Sequence, residues 1–145
     1  KIKISLESNK EVAPLRMGNI EAKRDWSDAE DFMEGVWLML NQDFPKNYVL
    51  GSGEMHTVRE FLEETLYLAN INYKKIGEGE DEKYYSEEGQ LIFEVDPKFF
   101  RPAEVHKLCG DPSLAEKELG WRRKTNFKQL VKKMYENDYN LLCNK

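Results

Sequence analysis

The sequence has little of the chemistry that metal sites and disulfide scaffolds require. Its 145 residues include two cysteines, Cys109 and Cys143, and two histidines, His56 and His106. Neither cysteine lies in a Cys-x-x-Cys pair, so the spacing supports neither a zinc site nor a disulfide framework. Two lone cysteines fit a reducing compartment, and the cytoplasm is the expected location. No apolar run approaches the roughly 20 residues of a membrane span, and the start, Lys1-Ile-Lys-Ile-Ser5, has no signal-peptide core. A basic excess is missing too. The net charge is −5, whereas general nucleic-acid binders usually show a basic face. There is also no Gly-x-Gly-x-x-Gly turn of the kind that holds a dinucleotide. Gly51-Ser52-Gly53 and Gly77-Glu78-Gly79 are the only candidates. Both read better as plain turns, the second among acids that would repel phosphate. The absence of an initiator Met predicts a piece of a longer protein.

What is present suits one folded domain. Hydrophobic residues make up 40% and aromatics 12%, enough for a core, and charged residues reach 34% with both signs mixed. Residues 1–14 read as a polar lead-in, partly helical or frayed. Leu15 to Met17 reads as a short strand ended by the turn Gly18-Asn19. From Asp28 to Gln42, Ala29, Phe32, Met33, Val36, Trp37 and Leu40 recur at helical spacing, with Ser27 or Asp28 as the cap and Pro45 beyond the end. Asn47 to Gly51 reads as a strand. Thr57-Val-Arg-Glu60 has capping-box spacing and opens a helix to about Ala69. Tyr73 to Ile76 and Gln90 to Val95 are strand candidates. The acidic stretch Gly77 to Glu88 between them reads as an exposed loop or an irregular hairpin. Asp111-Pro112 starts a short helix that stops at Gly120. Asn126 caps a last helix with Phe127, Leu130, Val131, Met134 and Leu141 on its apolar face. This alternation predicts a mixed α/β fold.

Two arginine-centred segments are the candidate anion sites. In Arg24-Asp25-Trp26 the guanidinium offers a fixed fork of donors that can grip a diphosphate. Asp25 could orient that arginine or cap the helix, and Trp26 could pack at a domain seam. In Arg101-Pro102-Ala103-Glu104, the proline stiffens the backbone after Arg101. Arg101 could hold phosphate, and Glu104 could accept from ribose hydroxyls or a base amide. Taken alone, each segment serves equally well as a structural ion pair. The run Arg122-Arg123-Lys124 reads as a solvated turn. His56 and His106, without a Ser or Cys motif, read as structural or surface residues.

In order and spacing these segments resemble the GDP-mannose 4,6-dehydratase family. The matching stretches are Leu15 to Trp26, Val36 to Leu40, Tyr48-Val49 with Gly53-Glu54, Thr57 to Phe61, Val95 to Val105, and Gly110 to Ala115 leading to Leu119-Gly120-Trp121. The resemblance implies the C-terminal, substrate-binding part of an extended short-chain dehydrogenase/reductase, helices with short strands, without the Rossmann half. Residues 15–145 would form the nucleotide-sugar-binding domain, with 1–14 as a poorly matched lead-in. It implies Arg24 and Arg101 at the diphosphate of GDP-mannose, Glu104 at the ribose, and Gly18 and Asn19 near the base. NADP and the catalytic groups would belong to the N-terminal part. No Tyr-x-x-x-Lys occurs here that could supply them: Tyr67 is followed at that distance by Ile71, and Tyr135 by Tyr139. The parent would be a homo-oligomer, a dimer or tetramer, and this chain alone would be inactive. A related GDP- or UDP-sugar reductase or epimerase, or a non-catalytic binding module, remains open at this point. One departure stands out: Glu30 lies where the family usually has lysine.

Overall fold

The computed structural model describes residues 1–101, 105 and 107–143. Among the described residues two small sheets and five α-helices make up the fold, which is the mixed α/β class that the sequence predicts. The larger sheet has the order β1 (Leu15–Met17), β6 (Leu91–Val95), β5 (Lys83–Ser86), β4 (Tyr73–Ile76). The smaller has the order β3 (His56–Thr57), β2 (Lys23–Arg24), β7 (Lys107–Leu108).

The main core lies on the larger sheet. Tyr84, Ile92, Phe93 and Val95 pack with Val12, Ile20, Leu62 and Leu66. Leu62 and Leu66 come from α3 (Val58–Leu68), whose capping box forms as its spacing predicts. Thr57 Oγ1 accepts from the Glu60 amide at 3.0 Å, and Glu60 Oε2 accepts from the Thr57 amide at 2.8 Å. Two free N–H groups of the first turn are satisfied this way. Ile2 and Leu6 of α1 (Ile2–Glu7) pack against the same core.

Of the two readings of residues 77–88, the hairpin is the one formed: its turn at 77–81 and the residues at 87–88 are exposed, but its second strand has a buried face. Glu82, Tyr84 and Ser86 are buried on alternate positions around β5, the period-2 pattern of a strand with one covered face. Glu82 is only 1% exposed. It is held by Arg59 at both guanidinium nitrogens, with the Nη2 bond at 2.8 Å. Arg59 also pairs with Glu21 and donates to the Tyr84 hydroxyl at 2.8 Å, and that hydroxyl donates to Glu63 at 2.9 Å. A buried charge needs such a set of partners to offset its lost hydration.

The second half is built on α2 (Ala29–Leu40). Its cap is Asp28, whose Oδ1 accepts from the Glu30 amide at 2.8 Å. The carboxylate of Asp31 accepts from the amides of Lys124 and Thr125, and its backbone carbonyl accepts from Trp121 Nε1 at 2.8 Å. Trp121 is thereby buried against α2. Helix α4 (Ser113–Leu119) begins one residue later than its sequence suggests: Pro112 is the cap and Asp111 Oδ1 accepts from the Ser113 amide. Gly120 ends it at φ 66°, a left-handed conformation suited to glycine. Asn126 and Gln129 exchange amide bonds at 2.9 Å at the start of α5 (Phe127–Cys143). Helix α5 packs on α3.

The strand expected at Asn47 to Gly51 does not form. No strand pairs with this segment among the described residues. Its Leu50 lies against α2 instead: a Cβ at Gly35 would come within 2.6 Å of Leu50 Cδ1. The local preference for extended backbone is there, but a ladder needs a second chain edge.

Candidate functional site

Both candidate segments fall in one region because the chain lays them side by side. Strand β1 runs parallel to β6, with Leu15 opposite Phe93 and Met17 opposite Val95. Asp96 then donates to the Met17 carbonyl at 2.8 Å, and a 3-10 turn at Pro97–Phe99 redirects the chain. Further on, β2 runs parallel to β7, with Arg24 opposite Leu108. The segments 15–24 and 93–108 are thus paired at both ends.

Gly18 sits where they come closest. A Cβ there would collide with the Phe99 carbonyl and lie 3.0 Å from the Phe100 nitrogen. Any larger residue would push the turn away. Asn19 folds into a local turn, its Oδ1 accepting from the Glu21 amide at 3.0 Å. Arg24 Nη1 donates to the carbonyls of Val105 at 2.6 Å and Lys23 at 2.8 Å. That side chain therefore reaches across to the second segment. Arg101 is exposed at the end of the redirecting turn. Glu104, like Pro102, Ala103 and His106, lies outside the described residues, and so does any pairing of the two histidines.

Asp25 neither caps α2 nor orients Arg24 in the described contacts. Its carboxylate accepts from the backbone amides of Ser52 at 2.9 and 3.0 Å, Gly53 at 3.3 Å and Gly110 at 3.1 Å, and from the Ser27 hydroxyl at 3.1 Å. Burial by itself would raise its pKa. The hydrogen bonds from Ser52, Gly110 and Ser27 outweigh that and hold it below the ordinary aspartate value. Trp26 donates to the His56 carbonyl at 3.2 Å and packs on Phe61 with ring centroids 4.8 Å apart. His56 stacks on Phe127 at 3.9 Å and bonds Glu60 through Nδ1 at 3.1 Å.

The other sequence candidates resolve into structural roles. Arg123 pairs with Glu54 and Lys124 with Glu34, each at 2.5 Å. Glu30 pairs with Lys133 at 2.9 Å, so its negative charge meets a cation on α5. The turn at Gly51–Gly53 cannot cradle a pyrophosphate, because its amides at 52 and 53 already donate to Asp25. At Gly77 a Cβ would collide with the Asp81 carbonyl, and acids follow. Neither turn fits a dinucleotide cofactor. Among the described residues no cluster of His, Cys, Asp and Glu suits a metal ion, and no helix is long and apolar enough to cross a membrane. The Arg59–Glu82–Tyr84–Glu63 network was not legible in the sequence. The alternation of Glu82, Tyr84 and Ser86 is the one local signal for it.

The family model for GDP-mannose 4,6 dehydratase matches residues 2–134. The chain belongs to the GDP-mannose 4,6-dehydratase family. It is 44% identical over 131 residues to the Dictyostelium discoideum GDP-mannose 4,6 dehydratase, which covers 90% of this chain and 37% of that protein. The Vibrio cholerae enzyme is 41% identical over 135 residues, covering 86% of this chain and 36% of the relative. The human enzyme is 39% identical over 129 residues, with 87% and 34% covered. The chain thus spans about a third of the length of these relatives, and matches their C-terminal part. Solved structures with the same fold include a UDP-glucose-4-epimerase from Stenotrophomonas maltophila with bound NAD. It has TM-score 0.68 and 15% identity, covering 99% of this chain and 40% of that one. The dTDP-glucose 4,6-dehydratase of Bacillus anthracis, in complex with NAD, gives TM-score 0.63 at 15% identity, with 93% and 36% covered. These distant likenesses show the fold alone, and both of those structures were solved with NAD bound.

Proposed function

We propose that this chain is the substrate-binding part of a GDP-mannose 4,6-dehydratase, which converts GDP-mannose to GDP-4-keto-6-deoxymannose and water. Family membership supports the activity. The single structural observation that supports the site is the pairing of segments 15–24 and 93–108 at both ends, which puts the neighbourhoods of Arg24 and Arg101 along one seam. In this reading Arg24 and Arg101 hold the diphosphate by charge-assisted hydrogen bonds. Glu104 accepts from the ribose, and Gly18 and Asn19 lie at the guanine end. Residues 15–145 form the binding unit, preceded by a lead-in at 1–14.

NADP, held by another part of the enzyme, would supply the hydride-transfer chemistry. The residues of this chain bind and orient the nucleotide sugar. The cofactor-binding part docks on the exposed side of α2. There Met33, Trp37 and Leu40 face solvent, and Phe44 is exposed just beyond the end of the helix. Relatives almost three times as long as their match to this chain supply a partner for that surface. The enzyme works as a homo-oligomer in the cytoplasm.

Product analysis tests the reading. The full-length protein with NADP and GDP-mannose should yield a nucleotide sugar lighter by one water. The 145-residue chain alone should yield none. Epimerised or reduced sugar at unchanged or increased mass would place the parent in a different branch of the superfamily.

A further inference from the structure

The reading of Arg24 and Arg101 as diphosphate ligands leaves Asp25 without a role in binding, yet its carboxylate accepts from four donor groups. Besides the local bond from the Ser27 hydroxyl, two distant chain segments converge on its carboxylate: the turn at 51–53 and the stretch after β7. Its main chain works on the same neighbour, since the Asp25 amide donates to the Leu108 carbonyl at 3.1 Å. One residue therefore grips segment 107–110 twice, by backbone at 108 and by side chain at 110. Arg24 lies one position before it and reaches the carbonyl of Val105. Register matters here, because a slip of one residue in a ladder turns every side chain to the opposite face.

The surroundings fit a carboxylate and little else. All the bonding groups are donors, so an amide at this place would turn its own N–H₂ towards N–H groups. Space is tight as well. A Cβ at Gly51 would lie 2.9 Å from Asp25 Oδ2 and 3.0 Å from the Gly110 Cα. Gly51 does not have a positive φ, so its lack of a side chain serves this close approach rather than an unusual backbone.

We infer that Asp25 is a positioning residue for nucleotide binding: it fixes the register in which Arg24 and the segment bearing Arg101 face the same diphosphate. This inference rests on the proposed diphosphate role of the two arginines, and the test separates them. GDP is titrated calorimetrically into the full-length protein and its variants, all checked for folding by circular dichroism. Asp25→Asn removes the ionic acceptor. Gly51→Ala keeps every charge and crowds the same clamp. Each should weaken GDP binding by about tenfold or more, the scale of one lost charged hydrogen bond. A core control, Ile92→Val, should lower the melting temperature and keep wild-type affinity. A positioning role also predicts non-additivity: in an Arg24→Ala background, Asp25→Asn should add less than about a twofold loss. A purely structural role would show lowered melting temperature with wild-type affinity in the folded Asp25→Asn or Gly51→Ala protein, and that result overturns the inference. If Asp25→Asn fails to fold, Gly51→Ala decides. Should Arg24→Ala and Arg101→Ala also bind GDP like wild type, the underlying reading of the arginines has failed. Loss in both arginine variants with none in the two clamp variants refutes the positioning role alone.

Discussion

The two halves of this chain differ in how they treat apolar surface. Around the larger sheet, Tyr84, Ile92 and Phe93 are essentially buried, and even the charged Glu82 is enclosed with its partners. Around α2 the pattern reverses. Trp37 is 62% exposed, Leu40 80% and Phe44 82%. Isolated exposed apolar residues are ordinary, but here Met33, Trp37 and Leu40 follow one another at helical spacing on α2, and Phe44 lies just beyond its end. A stripe of this kind marks a contact surface. The first half completes its own core. The second has the makings of a layer whose other side lies elsewhere, which accords with a chain that covers about a third of its relatives.

The comparison is easiest to break where the closed half is most tightly built. Arg59→Ala would strand Glu82 in the interior. Losing one partner of a buried pair costs about 3–5 kcal/mol. Denaturant unfolding of the 145-residue chain should therefore show a large drop in midpoint. A loss under about 1 kcal/mol, the range of surface ion pairs, would mean that the network is not the anchor of this half.

Acid should act on both halves, more gradually. Burial raises the Glu82 pKa, but Arg59 and Tyr84 lower it further than burial raises it. In the second half, Asp28 is lowered by the Glu30 amide, against burial, with help from Lys133, and Asp25 is lowered as described above. All three carboxyls have folded-state pKa values below their ordinary ones. Their stabilisation is complete above the ordinary carboxylate values, about 3.9–4.3, and is lost as pH falls through the folded values. Thermal melts should show a falling melting temperature below about pH 4.5, and Asp28→Asn should flatten that fall. A flat profile down to pH 3 in the wild-type chain would contradict the carboxylate assignments.

The smallest effect belongs to the open face. Trp37→Ser in the isolated chain should change stability by no more than about 0.5 kcal/mol, and should reduce self-association in sedimentation runs. The same change in the full-length protein should destabilise it clearly. Equal, large losses in both would show that Trp37 is already packed, and the contrast between halves would fall.

Sequence and structure agree where local signals decide. The Thr57–Glu60 capping box, the spacing of apolar residues along α2, and the glycine that stops α4 are all short-range features, and all appear where expected. The expected strand at 47–51 fails for a different reason: its residues suit extended backbone, but ladder partners cannot be read from a single segment. At β5 the acidic run from Glu78 to Glu82 dominates the composition and hides a short alternating strand. Within the site, the arginines stood out by residue type. The role of Asp25 did not, because its partners lie 27, 28 and 85 residues away along the chain. Charge type suggested an anion site, and only the topology shows which backbone the carboxylate ties together.

The most direct test of the central claim compares GDP with guanosine, which lacks the diphosphate. Calorimetric titration of the full-length protein should give an affinity for GDP that falls by about tenfold or more in Arg24→Ala and again in Arg101→Ala. Guanosine affinity should be the same in all of them. Unchanged GDP binding in both variants, or equal losses for GDP and guanosine, would contradict the assignment of these arginines to the diphosphate.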